Sequence, residues 1–326
     1  MASPGNAAFT SLITTTLQNL PGDIFDNVVT NNTLLRLLMK QGNIKVVEGG
    51  RQFTEPLLYQ QNNTFAARGK YDPIATTVQE GITRSVWDIK IIDGSVVLSD
   101  LELAMNYGSR EKLIDYAEEK KMEAEVAMSE IMGDQVFSTS VGANDFDSLD
   151  RIISETPSTQ TDVGGIDSST AATAATWWRN YSHDTAVTAF GTGQAGLNAM
   201  DTSLNASTFG PNAPTAIITT AAIFTLYQLA LTANARYSSM DAGDGGFRNL
   251  LYATLPVYFD ANCPAGNMYG INTKAIKMKV LSQGNMKATK FEHKEDQLVQ
   301  IMLMYFFGNL TSGDRRSSFV IDSITA

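Results

Sequence analysis

The sequence predicts an α+β protein of two lobes, and three observations carry that reading. Residues Ser109 to about Phe137 hold many strong helix formers and no proline, with apolar residues three to four apart. The stretches at 44–92 and 297–308 read as strands instead. After Pro157 the composition changes. From Ser158 to Phe247 charged residues become sparse and Ala, Thr, Gly and Ser dominate, as at a domain boundary.

Taken in order, residues 1 to about 45 are Asn/Thr-rich and read as an extended arm. Within it Asn32–Gly42 shows apolar periodicity, which predicts a short helix with Thr33 as N-cap and Gly42 as the C′ stop. Lys45-Val-Val-Glu, Arg51 to Tyr59 and Arg84 to Ile92 follow as strands, the last with clear alternation. The polar stretch Gln60–Pro73 is too long for a tight turn, so the second and third strands form a ribbon with a long tip. A two-stranded ribbon is marginal in isolation and needs a neighbour to lie on.

The helix from Ser109 is expected to bury Leu113, Ala117, Ala124, Met128 and Ile131 and to leave its charged face in solvent. About twenty-five residues at 1.5 Å each would make it a spine of roughly 37 Å. Beyond the composition change we read a helix at Gly196–Ser207, a buried strand at Thr215–Thr219, and a helix from Thr220. Leu250–Asp260 reads as a strand that Pro256 confines to an edge or a bend. A strand-forming segment at Asn267–Val280 follows, and the continuously apolar Gln297–Gly308 reads as a core strand covered on both faces.

Composition narrows the function. Twenty-four Lys and Arg against thirty-four Asp and Glu give a net charge of −10, which argues against gripping nucleic acid through a basic face. Charged residues make up 18% of the chain, below the usual quarter, as expected of surfaces meant to be covered. A lone cysteine, Cys263, excludes an internal disulfide framework. The start, Met1-Ala-Ser-Pro-Gly, lacks the basic and apolar regions of a secretion signal, so cytosolic production is expected. The uncharged stretch Thr202–Ala235 is interrupted by Pro211 and Pro214, so no membrane span is expected.

Motifs that could carry chemistry are weak. Gly191-Thr-Gly-Gln-Ala-Gly196 matches a dinucleotide fingerprint, but no acidic residue occurs between Asp201 and Asp241 to hold a ribose. Ser109-Arg-Glu-Lys112 lacks the companion elements of a penicillin-recognising site, and Ser109 reads as a helix cap. Asp145, Asp147 and Asp150, like Asp241 and Asp244, lack the spaced ligands of a calcium loop. His183 has no nucleophile nearby, His293 reads as an exposed turn residue, and Cys263 as a small buried hydrophobe. Trp177-Trp178-Arg179 reads as an anchor packing one lobe on its neighbour. The expectation is a non-enzyme with no catalytic residue, cofactor or metal.

The order of parts resembles the major capsid protein of tailed bacteriophages, the Hong Kong ninety-seven fold. Gly49-Gly-Arg-Gln-Phe-Thr-Glu-Pro-Leu57 is similar to the entry of that family's extended loop, and Gly108–Phe137 to its spine helix. Ala216–Leu226 resembles its axial strand and helix, while Leu255–Asp260 with Met268–Lys274 resembles the turn back to the periphery. The resemblance divides the chain into an arm (1–45), an extended loop (46–108), a peripheral domain (109–160), an axial domain (161–275) and return strands (276–326). It implies a structural, late protein whose pentamers and hexamers form an icosahedral shell around double-stranded DNA, contacted weakly. Its partners would be a separate scaffolding protein, because no charged helical leader precedes the arm, a portal protein and a possible decoration protein. It would reside in the virion after assembly in the host cytoplasm. The loop residues expected at subunit contacts are Arg51, Phe53, Tyr59, Phe65, Arg68, Lys70 and Tyr71. Lys70 is also a conceivable crosslinking lysine, without a partner Asn or Glu identifiable by motif. Two alternatives are a bacterial nanocompartment shell protein and an enzyme of unrelated α+β fold.

Overall fold

The computed structural model describes residues 32–105, 110–171, 175–183, 188–190, 195–230 and 250–325. Its first half holds α1 (Thr33–Lys40), β1 (Ile44–Val47), β2 (Gln52–Leu58), β3 (Ile82–Asp88), β4 (Lys90–Ser99), α2 (Asp100–Met105), α3 (Arg110–Phe137) and α4 (Leu149–Ile152). Then come β5 (Tyr181–His183), β6 (Thr188–Ala189), α5 (Ala195–Ser207), β7 (Ala216–Thr219), α6 (Ala221–Ala230), β8 (Leu250–Tyr252), β9 (Leu255–Phe259), β10 (Met268–Ile271) and β11 (Ile276–Leu281). The chain closes with β12 (Lys287–Ala288), β13 (Glu292–His293), β14 (Val299–Ser312), β15 (Phe319–Ile321) and β16 (Ile324–Thr325).

The fourteen-residue β14 organises the first sheet. It pairs antiparallel with β4 from Val299↔Ser99 to Gly308↔Lys90, and its far end pairs with β11, on which β1 lies parallel. Alternation decides what each residue does. Ile92, Val96, Met302, Met304 and Phe306 point to the core, whereas Ile91, Val97 and Leu303 are exposed on the other face. The unbroken apolar run at 297–308 is therefore covered on one face only. Burial becomes continuous from Gly308 to Ser312, beyond the run itself.

The spine helix packs on the inner face of this sheet. Met128 is buried and Ala124 packs against the core, but Ile131 is 45% exposed, contrary to expectation. The four-residue series Met128, Met132, Val136 carries the buried stripe, and Phe137 closes it. Ile131 lies about 100° around the helix from Met132, and so on its flank. The side chains of Leu113 and Ala117 lie outside the described residues. Helix α1 fills the remaining side of this core with Leu34, Leu37 and Leu38, so residues 33–45, read as part of an extended arm, are built into the subunit. Gly42 ends α1 as expected, at φ +67°, donating to the Met39 carbonyl. Thr33 does not cap it. Asn32 holds the N-cap position, Thr33 Oγ1 donates to the Phe259 carbonyl at 2.8 Å, and the Leu34 N–H is capped instead by the buried carboxylate of Asp260 at 3.2 Å.

The second sheet runs β5-β15-β10-β7-β9-β8 and separates two apolar clusters. Ile218, Tyr269, Ile271 and Val320 face the core beneath the spine helix. Ile217, Met268, Phe319 and Ile321 face α5 and α6. The lobe boundary expected near residue 158 is thus bridged by a shared core. Leu250–Asp260 forms a hairpin rather than one bent strand. It turns at Ala253 and Thr254, both at positive φ, and Pro256 follows the turn in β9, one residue before pairing with β7 begins. At the sheet centre a Cβ on Gly270 would lie 2.1 Å from the Phe319 ring, which explains the glycine there.

Candidate functional site

The extended ribbon is the feature that no core explains, and its lower half is anchored on three sides. β2 and β3 pair from Gln52↔Asp88 to Leu58↔Ile82. Period two sends Phe53, Leu57 and Trp87 inward, where all three are buried. Glu55 points the same way, between Lys277 Nζ at 3.1 Å and Lys279 Nζ at 2.8 Å on β11. A buried carboxylate so far from water is tolerable because it is paired. From the other side the Val86 N–H donates to the Gly164 carbonyl at 2.8 Å, and Gly164 at φ +64° lies against the Trp87 indole. Tyr59 stacks on Trp177 with centroids 5.5 Å apart and donates from its hydroxyl to the Glu80 carbonyl at 2.7 Å.

Above Tyr59 the support ends. Among the described residues, the hydrogen bonds of 61–79 stay within the tip. The Gly69 N–H donates to Asp72 at 2.6 Å, and the Arg68 guanidinium reaches the carbonyls of Thr64 and Pro73. Phe65 is 86% exposed and Val78 93%, with Tyr71 and Ile74 similarly bare. Of the residues expected at subunit contacts, Arg51, Phe65, Arg68, Lys70 and Tyr71 are exposed, and Tyr59 is half-buried on Trp177. Phe53 is corrected: it lies inside the subunit's own core. Ile74 and Val78 were missed because a polar-looking stretch hides isolated apolar residues, which only their exposure makes conspicuous.

The remaining candidates are occupied structurally. Trp178 is buried and donates from Nε1 to the Val163 carbonyl at 2.9 Å, as an anchor should. Arg315, found only in the structure, is fully buried, donates to the Ile152 carbonyl at 2.6 Å and lies over the Trp178 ring. Burial pushes it down to about 9, so it remains charged at neutral pH. The three aspartates diverge: Asp145 accepts from the Gly142 N–H, Asp147 pairs with Arg151 at 2.9 Å, and Asp150 accepts from the Tyr269 hydroxyl at 2.9 Å. Among the described residues, no three His, Cys, Asp or Glu side chains cluster as metal ligands. Cys263 is buried, and burial pushes its thiol up, away from reactivity. His293 is exposed but sits in β13, 3.4 Å from Asp100. Ser109, Asp241, Asp244 and the first four residues of the glycine motif at Gly191 lie outside the described residues.

Asp150 carries a testable consequence. Burial raises its pKa to about 6 despite the Tyr269 bond, with Glu155 adding to the rise. The fold therefore favours the protonated carboxyl; this contribution is complete below about pH 4 and is lost as pH rises through about 6. Asp150→Asn, which keeps an acceptor for Tyr269, is expected to be more stable than the parent at pH 7.5 by about 1–2 kcal/mol. It should match the parent near pH 4, and urea denaturation at the two pH values reads the difference.

No family model matches the sequence, and neither does any curated protein. Solved structures do match it. The capsid chain of cyanophage A-1(L) superposes with a TM-score of 0.73 at 17% identity, covering 96% of this chain and 98% of its own. This chain has the tailed-phage capsid fold. The capsid of a native GTA particle follows at TM-score 0.58 and 11% identity, covering 94% of this chain and 95% of its own. The SrpI encapsulin of Synechococcus elongatus shares the capsid fold at TM-score 0.59 and 10% identity, covering 99% and 96%.

Proposed function

We propose that this chain is the major capsid protein of a tailed phage, a structural protein whose copies assemble into pentamers and hexamers of a closed icosahedral head around double-stranded DNA. The observation that carries the reading is the ribbon tip. Its apolar side chains have no cover in their own subunit, and the rest of the chain has the fold of shell-forming proteins. Such a projection fits heterologous contacts that close into rings. A net charge of −10 suits a lining that encloses DNA without binding it tightly. In this reading a separate scaffolding protein directs assembly, a portal protein occupies one vertex, a decoration protein is an optional addition, and the virion is the final location. Arg51, Tyr59, Phe65, Arg68, Lys70 and Tyr71 contribute to contacts between subunits.

A nanocompartment shell is the second reading, motivated by the encapsulin superposition, whose TM-score of 0.59 is below the 0.73 of the phage capsid. Negative-stain microscopy of the expressed protein, with and without a candidate scaffolding protein, tests both. Closed shells that accept a portal support the proposal. Shells purified from the native host with an enzyme cargo and no genome would overturn it in favour of the compartment, and a monodisperse monomer under every condition would sink both.

A further inference from the structure

We propose that residues 9–20 of this chain seat in a groove of the same subunit, between α1, α3 and β11. The groove encloses about 440 Å³ and is walled by Leu35, Met39, Met132, Met278, Met286 and Phe306. Its floor is core: Met278 and Phe306 are buried. Its rim is bare, with Met39 67% exposed and Met286 39%. Methionine walls adapt to an apolar occupant of irregular shape, and an apolar trough open to water marks a surface that an apolar segment can cover.

The chain itself arrives at this groove. Asn32 lines its edge, donates from Nδ2 to the Ser129 carbonyl of the spine helix at 2.9 Å, and accepts from Asn262 at 3.2 Å. The only glycine in α3, Gly133, makes the approach possible, since a Cβ there would lie 2.0 Å from Asn32 Oδ1. Thirty-one residues precede Asn32, and Phe9, Leu12, Ile13, Leu17 and Leu20 recur among them every three or four positions. That spacing gives one apolar face, with Ser11, Thr14, Thr15, Gln18 and Asn19 opposite. The only charged side chains in 1–31 are Asp23 and Asp26, so the segment 9–20 carries none into a site lined mostly by apolar side chains, with Arg36 and Asn285 among the others. Residues 21–31 span at most about 36 Å when extended, enough to return to the groove from Asn32. A tether this short sets an effective concentration in the millimolar range, which favours the subunit's own segment over another copy in dilute solution. The inference does not depend on shell formation.

Disulfide trapping in the full-length chain tests it. The native Cys263 is buried, so the background is low. Leu17→Cys with Met39→Cys, oxidised in dilute solution, is expected to give a disulfide within one chain, seen as a faster band on a non-reducing gel. Leu17→Cys with Leu303→Cys, on the far face of the first sheet, should stay reduced. Leu12→Cys with Met286→Cys provides a second groove pair should the first fail to fold. Adding Gly133→Ala should lower the trapped fraction several-fold by displacing Asn32. A disulfide-linked dimer would show that a second copy is the occupant. Either that result, equal trapping at Leu303, or no trapping by a folded groove pair overturns the proposal.

Discussion

A chain lacking Gln61–Asp72 is expected to fold with the stability of the full subunit and to form no closed shells. The two halves of the expectation rest on different residues. Every contact that fixes the ribbon lies at or below Tyr59 and Gly81: the Glu55 pair with Lys277 and Lys279, the packing of Trp87 on Gly164, and the Tyr59–Trp177 stack. The Tyr59 N–H closes the last rung on the Gly81 carbonyl at 3.0 Å. The deletion leaves all of these intact and shortens a loop, which changes closure entropy by well under about 1 kcal/mol. Thermal unfolding should therefore move by no more than a degree or two. Assembly is another matter, because the deleted residues include Phe65 and Tyr71, whose apolar surface the subunit cannot cover. Leaving them exposed costs roughly 25 cal/mol per Å² that only a neighbour can recover. Negative-stain fields with wild-type numbers of shells would refute the role given to the tip.

What the sequence made legible follows from the range of the signals. Local periodicity was enough for the ribbon strands, the spine helix, the strand and helix at 216–230, and the apolar strand near the C-terminus. The Gly42 stop was legible because a positive φ leaves a residue-type signature. Long-range choices were not. Thr33 looked like a cap by its type, yet the cap is Asp260, more than two hundred residues away. Ile131 and Met132 are adjacent apolar residues, and only the packing of the helix on the first sheet decides which faces inward. Phe53 looked like a contact residue until register placed it beside the core. At the ribbon, the exposed character of Phe65, Arg68, Lys70 and Tyr71 was readable from the polar stretch around them, whereas the clamp of Glu55 by two lysines on β11 joins positions with no common motif.

Trp87→Ala is expected to damage both folding and assembly, which separates anchorage from contact. Trp87 is among the largest fully buried side chains; its Nε1–H donates to Ser85 Oγ at 3.0 Å, and Ser85 in turn donates to the Ser312 carbonyl at 3.3 Å. The alternation of Arg84–Ile92 predicted a strand, but the partner of the indole is a glycine at φ +64° nearly eighty residues later. Any side chain at 164 would collide with the ring, so the indole and the bare backbone form one fitted joint between the ribbon and the loop beneath it. Truncation leaves a cavity and removes the donor to Ser85, at a cost of about 3–5 kcal/mol. For a chain of this size that corresponds to a fall in Tm of roughly 4–8 °C. Phe65→Ala on the tip removes comparable apolar surface from an exposed site and should shift stability by less than about 0.5 kcal/mol. Both variants should lose shells, but only Trp87→Ala should unfold early. If Trp87→Ala melts with the parent and still fails to assemble, the indole positions the ribbon without supporting the core. If Phe65→Ala melts early, the tip is packed on its own subunit, and its exposed residues are not available to a neighbour.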